Sequence, residues 1–445
     1  MTERRTSKQA LQSPRGTRDF YPAEMALRKH VESAWRRVSI NHGFDEIEGP
    51  TFEHLELYTV KSGEGIVSEL FAFRRAGGET EYALRPEFTP TLARMYAARA
   101  NSLPSPTRWF SIPSHFRAER PQRGRLREFI QWNADVIGDA SPRADADIIA
   151  VAVGVLHDLG IRSSDVTVHL CHRGLIAEAL SAAGVIEENV ESGMMLLDRK
   201  AKLDDAEFAK QCDALALDYG SYETATERAA TLINDTIASI ENDTELPDAA
   251  NDISGAAGEM VELCHELAAR KCLHWCKFDA SIVRGLAYYT GPVFEILAEG
   301  ERAVAGGGRY DRLIELFGGP PTPAVGIAMG DVVLRLLLEE KGLLESGDTY
   351  QPRPDVFVID AGERKDDARL ISVLSDLRSA GLHARTTAKT TKNIGKLLSE
   401  AGKLRARFAL ILGGDVEAAE LKNLETGEQQ SIAIAAVASL LQGRS

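Results

Sequence analysis

Hydrophobic and polar positions follow two different periods along the chain, and the changes of period predict mixed α and β structure. Between Ala23 and Asn41 the apolar residues recur every three or four positions, which predicts a helix. Phe110–Glu119 and Leu126–Gly138 are typical of strands, and the short basic loop Arg120–Arg125 between them predicts an antiparallel hairpin. Another long helix is predicted over Arg143–Leu159.

The same pattern divides the chain into segments. From residue 175 onward it becomes helical and rich in alanine and acidic residues, and beyond residue 354 two apolar strands flanking a helix predict a small α/β domain with a parallel or mixed sheet. The predicted division is a loose N-terminal tail (1–18) within a first core segment (1–174), a helical acidic insertion (175–260), a second core segment (261–342), a linker (343–353) and a C-terminal domain (354–445).

The second strand of the hairpin separates polar from apolar side chains, because alternate residues of a strand share a face. Ile130, Trp132, Ala134 and Val136 lie on an apolar face, whereas Phe129, Gln131, Asn133 and Asp135 share the other face with Arg117, Glu119, Arg125 and Arg127 nearby. Guanidinium groups bind phosphate oxygens and aromatic rings stack on bases, so this polar face suits an anionic nucleotide. The alternative is a solvated face with surface ion pairs. That alternative would leave Phe129 exposed in the middle of a polar stripe, which argues against it.

The composition is that of a globular protein, with 445 residues, 44% of them apolar and 27% charged. No apolar run approaches the ~18–20 residues of a membrane helix, and the polar N-terminus lacks the apolar core of a secretory signal. These features and the five sparse cysteines predict a cytoplasmic protein. A cluster of Cys264, Cys272 and Cys276 with two histidines could suggest zinc, but its spacing favours buried structural cysteines.

The net charge of −14 argues, as a sum, against a nucleic-acid partner. Its distribution argues otherwise, because Glu187–Asp252 contains 17 acidic and 5 basic residues and carries −12, leaving −2 for the rest of the chain. Arg385–Arg407 is locally basic, with seven basic residues and one acidic residue. Such a patch attracts phosphate groups, and the alternative interpretation is a solvated helix face.

Six motifs follow one another along the chain. They are Gly43-Phe-Asp-Glu-Ile with Pro50, Leu84-Arg-Pro-Glu-Phe-Thr89, Phe116-Arg-Ala-Glu-Arg-Pro-Gln-Arg-Gly-Arg125 with Glu128-Phe-Ile-Gln131, Arg284-Gly-Leu-Ala-Tyr-Tyr289, Gly307-Gly-Arg-Tyr-Asp311 and Pro323-Ala-Val-Gly326. Any one of them is weak, but the ordered set resembles the class II aminoacyl-tRNA synthetases, and the histidyl-tRNA synthetase family in particular, with the first as motif 1 and the third as motif 2. The resemblance implies an α/β protein whose α+β catalytic core is an antiparallel sheet flanked by helices, followed by an anticodon-binding domain.

The resemblance implies ATP-dependent activation of L-histidine to histidyl-adenylate, and transfer of the histidyl group to the 3′ end of tRNA(His). The implied residues are Arg117 and Arg284 for catalysis; Glu87, Thr89, Arg117, Gln131, Asp135, Arg284, Tyr288 and Tyr289 for histidine; Arg117, Glu119, Arg125 and Phe129 for ATP; Arg120, Gln122 and Arg123 for the tRNA acceptor end; and Arg385, Lys389, Lys392 and Lys396 in the anticodon domain. ATP is expected as its Mg²⁺ complex, without a tightly bound cofactor or a protein metal site. Motif 1 implies a homodimer, and no membrane partner is expected.

Two positions depart from the family pattern. Ala287 stands where the signature usually has aspartate, and Val333 stands where motif 3 usually has an arginine that contacts the γ-phosphate. Arg335 is two residues further along the predicted helix, which turns it roughly 200° away, so we expect no direct substitution.

Alternative interpretations remain beside the synthetase. A histidine-binding paralogue without catalysis, such as an ATP phosphoribosyltransferase regulatory subunit, would tolerate loss of the motif 3 arginine, but the complete motif 2 and the C-terminal domain favour the synthetase. Without the resemblance, Tyr288 and Tyr289 would be interpreted as sheet packing and Gly306–Gly308 as a turn.

Overall fold

The computed structural model describes residues 11–62, 67, 69–200, 203–251, 255–282, 289–299, 303–361, 367–389, 391 and 393–443. The chain forms two compact units, residues 1–346 and residues 347–445. The division between them falls inside the predicted linker 343–353.

The first unit contains twelve α-helices and twelve strands among the described residues. The helices are α1 (Pro22–Asn41), α2 (Glu56–Ser62), α3 (Thr89–Ala97), α4 (Pro142–Asp158), α5 (Arg173–Ala182), α6 (Val190–Arg199), α7 (Asp205–Ala214), α8 (Tyr219–Glu241), α9 (Asp248–Asn251), α10 (Gly255–Ala269), α11 (Leu313–Leu316) and α12 (Asp331–Glu340). The strands are β1 (Asp45–Glu46), β2 (Phe52–His54), β3 (Ala72–Arg74), β4 (Glu81–Leu84), β5 (Thr107–Ser111), β6 (Ser114–Phe116), β7 (Glu128–Ile137), β8 (Val166–His172), β9 (Cys276–Phe278), β10 (Pro292–Ala298), β11 (Ala305–Arg309) and β12 (Ala324–Gly330).

The central sheet has the strand order β1-β5-β7-β12-β11-β10-β8-β9, and β6 also pairs with β7. The inner pairs are antiparallel, while β1 with β5 and β8 with β9 are parallel pairs at the two edges. A separate small sheet has the order β2-β4-β3. The predicted antiparallel sheet flanked by helices is therefore confirmed, with parallel pairs only at its edges.

The predicted hairpin is present, and its first strand is divided in two. Strands β5 and β6 both pair with β7, and the break between them contains Pro113, which has no N–H to donate to a sheet. The register sets His115 opposite Phe129, which places their side chains side by side.

The apolar face of the sheet packs against helices α1 and α4. Trp132 and Val136 of β7 are fully buried, and Trp35 of α1 and Ile148 of α4 lie in the same core cluster. The Trp132 indole N–H donates a hydrogen bond of 2.9 Å to the Ser39 hydroxyl of α1. The predicted apolar set on β7 is therefore the core face.

The helical segment predicted at 175–260 contains most of α5, all of α6 to α9 and the first six residues of α10. Asp204 and Asp218 cap the N-termini of α7 and α8 by accepting hydrogen bonds from backbone N–H groups. Helices α5, α8 and α10 contribute to the same core cluster as the central sheet, so this segment lies within the first compact unit.

Some local predictions differ from the structure. Residues 1–18 were predicted to be a loose tail, but from Pro14 onward the chain contacts the rest of the unit. Gly16 binds the backbone of the hairpin, and Arg18 forms an ion pair with α12. Phe129 is only 9% exposed, whereas the alternative of a solvated polar face would have left this ring exposed. The glycine run Gly306–Gly308 lies in strand β11 and is not a turn.

The second unit has helices α13 (Gly347–Tyr350), α14 (Asp367–Ser379), α15 (Ile394–Lys403) and α16 (Ile434–Gln442), and strands β13 (Val356–Asp360), β14 (Ala384–Thr386), β15 (Phe408–Leu412), β16 (Ala418–Asn423) and β17 (Gln429–Ala433). The sheet order is β14-β13-β15-β16-β17, with parallel pairs on β13 and antiparallel pairs on β16. The predicted small α/β domain is thus present, and its sheet is mixed. In neither unit is any described helix both long and apolar enough to cross a membrane.

Candidate active site

The polar face of the central sheet has a floor of small residues. Gly326 of β12 pairs with Gly308 of β11 on one side and with Asp135 of β7 on the other. Two residues further along each strand, on the same face, Gly306 pairs with Ala328. A Cβ atom on Gly326 would lie 2.0 Å from the Asp135 Oδ1 atom, a distance that real Cβ atoms do not reach. The absence of a side chain at Gly326 therefore leaves the space that the Asp135 carboxyl group occupies.

A small cavity of about 130 Å³ opens above this floor. Its walls include most of the residues that the resemblance implies for histidine: Glu87, Thr89, Arg117, Gln131, Asp135 and Tyr289. They come from the N-terminal end of α3, the hairpin and the segment before β10. The fold thus brings together positions that are more than 200 residues apart in the sequence.

Asp135 lies in this cavity and has a partner that the sequence reasoning missed. The Tyr310 hydroxyl donates a short hydrogen bond to the Asp135 Oδ1 atom, and both side chains are buried. Burial raises the pKa of Asp135 to about 7, although the hydrogen bond from Tyr310 acts in the opposite direction. The carboxyl group therefore exchanges its proton close to the pH range in which an imidazole does.

A larger cavity of about 950 Å³ joins the small one, since Arg117, Gln131 and Tyr289 line both. Its remaining walls include Arg125 from the hairpin loop and Val333 from α12. Among the described residues, Arg117 and Arg125 are the cationic side chains that line this combined cleft.

Arg117 lies over the ring of Phe129, with its guanidinium carbon 5.0 Å from the ring centroid. The same ring stacks against the buried imidazole of His115 at 5.5 Å. Burial lowers the pKa of Arg117, an effect that Glu87 partly offsets, yet a guanidinium stays protonated in proteins. Phe129 is therefore buried between Arg117 and His115 and is not the exposed ring that the solvated-face alternative required.

The tip of the hairpin presents exposed polar groups. Arg120, Gln122 and Arg123 are exposed, as their position in the loop suggested. Arg125 forms a short ion pair with Glu119 across the base of the loop. These residues lie beside the cleft and face solvent.

Strand β11 is held against helix α4 by a buried ion pair. The Arg309 guanidinium contacts the Asp145 carboxylate at 2.5 Å and also donates to the backbone carbonyls of Asp139 and Ser141. Both side chains are at most 5% exposed. Because Arg309 precedes Tyr310 directly, this pair fixes the backbone that carries the hydroxyl bound to Asp135.

Comparison with known proteins identifies the family of the chain. A family model described as histidyl-tRNA synthetase matches residues 16–331, and an anticodon binding domain model matches residues 355–444. The chain is 38% identical over 408 residues to a histidine–tRNA ligase of Opitutus terrae, and the match covers 91% of each chain. The chain belongs to the histidyl-tRNA synthetase family.

Solved structures of the family share the fold. The crystal structure of a histidyl-tRNA synthetase from Nostoc superposes with a TM-score of 0.75 at 24% identity, covering 98% of this chain and 99% of that one. A structure from Bacillus halodurans, described as an ATP phosphoribosyltransferase regulatory subunit/histidyl-tRNA synthetase, gives a TM-score of 0.69 at 22% identity and covers 91% of this chain and 98% of that one. At such identities the two likenesses show the fold alone.

The predicted family, fold class and activity are confirmed by these comparisons: the chain is an aminoacyl-tRNA synthetase, a histidine–tRNA ligase. The regulatory-subunit alternative is less supported, because the curated histidine–tRNA ligases match nearly the whole chain, including the region of the anticodon binding domain.

The family's motif 3 arginine has no direct replacement on α12. Val333 lines the large cavity, whereas Arg335 lines a separate small cavity and pairs with Glu339 on its own helix at 2.7 Å. Arg335 therefore points away from the cleft, as its helical position predicts.

Some site residues of the family signature lie outside the described residues. Arg284, Ala287 and Tyr288 belong to residues 283–288, and Lys392 is likewise not described. Their implied roles stay predictions.

The basic segment of the second unit is exposed. Arg385, Lys389 and Lys396 are all exposed, and Lys389 forms a 2.9 Å ion pair with Glu400. The Asn393 side chain caps α15 by accepting a hydrogen bond from the Lys396 N–H.

The cysteine cluster is buried. The Cys272 and Cys276 thiols each donate a 3.5 Å hydrogen bond to a backbone carbonyl, and burial raises the pKa of Cys272 to about 11. No group of three or more histidine, cysteine, aspartate or glutamate side chains suited to a metal occurs in the described part of the chain.

Proposed function

We propose that the two joined cavities hold the two substrates of histidine activation. The observation that carries this assignment is Arg117, which lines both the small polar cavity and the large open one. In the first step the histidine carboxylate attacks the α-phosphorus of ATP and releases pyrophosphate. A guanidinium at the junction reduces the repulsion between the two anions and stabilises the charge that develops between them.

The small cavity binds L-histidine. Glu87 supplies a carboxylate and Gln131 an amide oxygen for the substrate's ammonium group, with Thr89 beside them. The buried Asp135, positioned by Tyr310, accepts a hydrogen bond from an imidazole N–H, and Tyr289 lies on the same wall. A site built to hydrogen-bond a ring nitrogen rejects analogues that lack it by about 10⁴ or more.

The large cavity binds ATP as its Mg²⁺ complex, so the metal enters as part of the substrate. Arg117 in the described structure covers the Phe129 ring. We expect the guanidinium to leave the ring for the α-phosphate when ATP binds, which exposes Phe129 for stacking on adenine. Arg125, oriented by Glu119, binds the distal phosphates, and Arg284 contributes a second cation at the α-phosphate.

Transfer of the histidyl group requires tRNA(His) on the same face. Arg120, Gln122 and Arg123 at the exposed hairpin tip contact the acceptor end, and Arg385, Lys389, Lys392 and Lys396 contact the anticodon region. Exposed cations attract the phosphate backbone, and their side chains can also reach base edges. The reaction takes place in the cytoplasm, which the five buried free thiols support.

A homodimer forms through the motif 1 region. Phe52, which follows this motif closely, and Phe73 of the same small sheet are 49% and 43% exposed and contact each other edge to face. Adjacent exposed aromatic rings are typical of protein–protein interfaces. Size-exclusion chromatography with light scattering tests this, and a monomer at micromolar concentration contradicts it.

ATP–pyrophosphate exchange with each of the twenty amino acids tests the activity. Exchange that depends on histidine alone is the expected result. Histidine binding without any exchange would instead favour the regulatory paralogue, and exchange with another amino acid would contradict the assignment of the small cavity.

A further inference from the structure

The segment Ser13–Phe20, which we call the N-terminal arm, lies across the base of the motif 2 hairpin. The Gly16 carbonyl accepts hydrogen bonds from the backbone N–H groups of Arg127 at 2.8 Å and Glu128 at 3.2 Å. These two donors lie where the hairpin loop enters β7. The arm thereby occupies backbone groups that would otherwise be solvated.

Only glycine fits at position 16. Its φ of +91° lies in the region that favours glycine, and a Cβ atom would come within 2.6 Å of the Pro121 ring and 3.0 Å of the Arg127 side chain. The backbone of the arm is therefore in direct contact with the loop that carries Gln122, Arg123 and Arg125.

The arm also connects the hairpin to helix α12. Arg18 forms a 2.6 Å ion pair with Asp331, the first residue of α12. The other Asp331 oxygen accepts a 2.9 Å hydrogen bond from the Ile130 N–H of β7. Both oxygens of this largely buried carboxylate are thus used, and an anion is favourable at this helix end.

Three walls of the ATP cavity depend on these contacts. Arg125 belongs to the loop against the arm, Phe129 precedes Ile130 directly, and Val333 follows Asp331 on the first turn of α12. Helix α12 has Val333 at the position where an arginine would bind the γ-phosphate. Among the described residues, the positive charge in this cavity therefore comes from Arg117 and Arg125 of the hairpin. Its position relative to α12 then decides how well ATP is held.

We propose that Gly16 and Arg18 are positioning residues for ATP: the N-terminal arm holds the motif 2 loop and helix α12 in the relative position that binds the nucleotide. This inference rests on the proposed ATP cavity. None of the arm residues lines the small histidine cavity, so the effect on the two substrates differs.

The test compares Arg18→Ala and Asp331→Asn with the wild type in the full-length chain. For each protein, histidine-dependent ATP–pyrophosphate exchange gives the KM values, and calorimetry gives the Kd of ATP without turnover. We expect the KM and Kd for ATP to rise about tenfold to a hundredfold, which is the range of one lost charged hydrogen bond, with the KM for histidine changing less than about twofold. Arg18→Lys, which keeps the charge, should restore part of the affinity for ATP.

Two matched controls separate positioning from folding. Arg335 lines the same separate cavity as Arg18 and Asp331, but it forms an ion pair with Glu339 on its own helix. Arg335→Ala should therefore leave both KM values unchanged. Gly16→Ala should weaken ATP binding. Gly77 also has a positive φ, +76°, but no atom lies within 4 Å of a new methyl group there, so Gly77→Ala should not weaken it. Thermal unfolding of every variant checks that the fold is retained.

Equal changes in the ATP and histidine constants for Arg18→Ala, or an unchanged Kd for ATP, would overturn the positioning role. A wild-type protein that binds ATP but shows no exchange would reject the proposed function, while the Kd values would still decide the role of the arm. A wild-type protein that binds no ATP overturns both.

Discussion

The two faces of the central sheet are built from the same strands but from opposite kinds of side chain. On the face toward α1 and α4, bulk fills the space: Trp132, Phe294 and Ile327 are buried there. On the other face, Gly326 and its glycine and alanine neighbours remove bulk and leave two joined cavities. One face of the sheet is densely packed and forms the core. The other face lacks large side chains and leaves space for the candidate active site.

Gly326→Ala tests the open face most directly. Its methyl group would meet the Asp135 carboxyl group at 2.0 Å and the Tyr310 hydroxyl at 3.2 Å, so the histidine cavity closes. We expect histidine-dependent exchange to fall by about 10³-fold or more, because misplaced site groups lose both binding and orientation. Gly413→Ala in the second unit is the control, since nothing lies within 4 Å of its new methyl group and it lines neither cavity; equal losses in both variants would contradict this explanation.

Trp132→Ala tests the packed face. The indole is fully buried and donates to Ser39, so its removal should lower the free energy of unfolding by about 3–5 kcal/mol. Chemical denaturation measures this. Trp132→Phe, which keeps much of the ring volume, should cost clearly less, and a cost below about 1 kcal/mol for alanine would show that the site is not tightly packed.

Asp135→Asn tests the electrostatic cost of the open face. Burial raises the pKa of Asp135 from 3.8 to about 7, so between these values the folded protein holds a proton that the unfolded chain has released. The stability of the wild type should therefore fall as the pH rises from about 4 to 7 and then level off. The neutral asparagine variant lacks this dependence, and the difference should approach about 2–4 kcal/mol.

Urea denaturation at pH 5 and pH 8 measures this difference. Asp139→Asn is the matched control: burial raises the pKa of Asp139, hydrogen bonds from Ser141 lower it, and the net direction is downward. Because the pKa of Asp139 is lowered and this variant keeps Asp135, the stability of Asp139→Asn should show the same pH dependence as that of the wild type. Parallel curves for Asp135→Asn and the wild type would be inconsistent with a raised pKa.

Arg117→Lys gives the smallest effect in this series. Lysine keeps a positive charge at the junction of the two cavities but loses the planar guanidinium that binds two oxygens at once. We expect exchange to fall by about 10²-fold, with an unchanged unfolding midpoint. Arg120→Lys at the exposed hairpin tip should leave exchange intact, and equal sensitivity at both positions would argue against Arg117 as the phosphate ligand.

Much of the fold could be predicted from periodicity. The helix ending at Asn41, the β6–β7 hairpin and the C-terminal mixed sheet all follow from local patterns, because burial on one face imposes a period on the chain. The apolar set on β7 identified the core face for the same reason.

The site could be predicted only in part. Motif resemblance placed Glu87, Thr89, Gln131, Asp135 and Tyr289, and the fold brings all of them to one cavity. It did not indicate that Tyr310 holds Asp135, because the two are 175 residues apart and meet only through the pairing of β7, β12 and β11. A tyrosine within the Gly-Gly-Arg-Tyr-Asp motif was the one signal available.

The sequence by itself determined the family, the two-unit organisation of core and C-terminal domain, and which face of β7 is apolar, since these depend on local periodicity and on contiguous motifs. Tertiary structure alone decided that His115 and Arg117 cover Phe129 and that the glycine run lies within a strand. It also decided that the predicted tail contacts the hairpin through Gly16 and α12 through Arg18. Each of these depends on contacts between residues distant in sequence, and neither hydropathy nor spacing records which distant backbone or side chain will fill a given space.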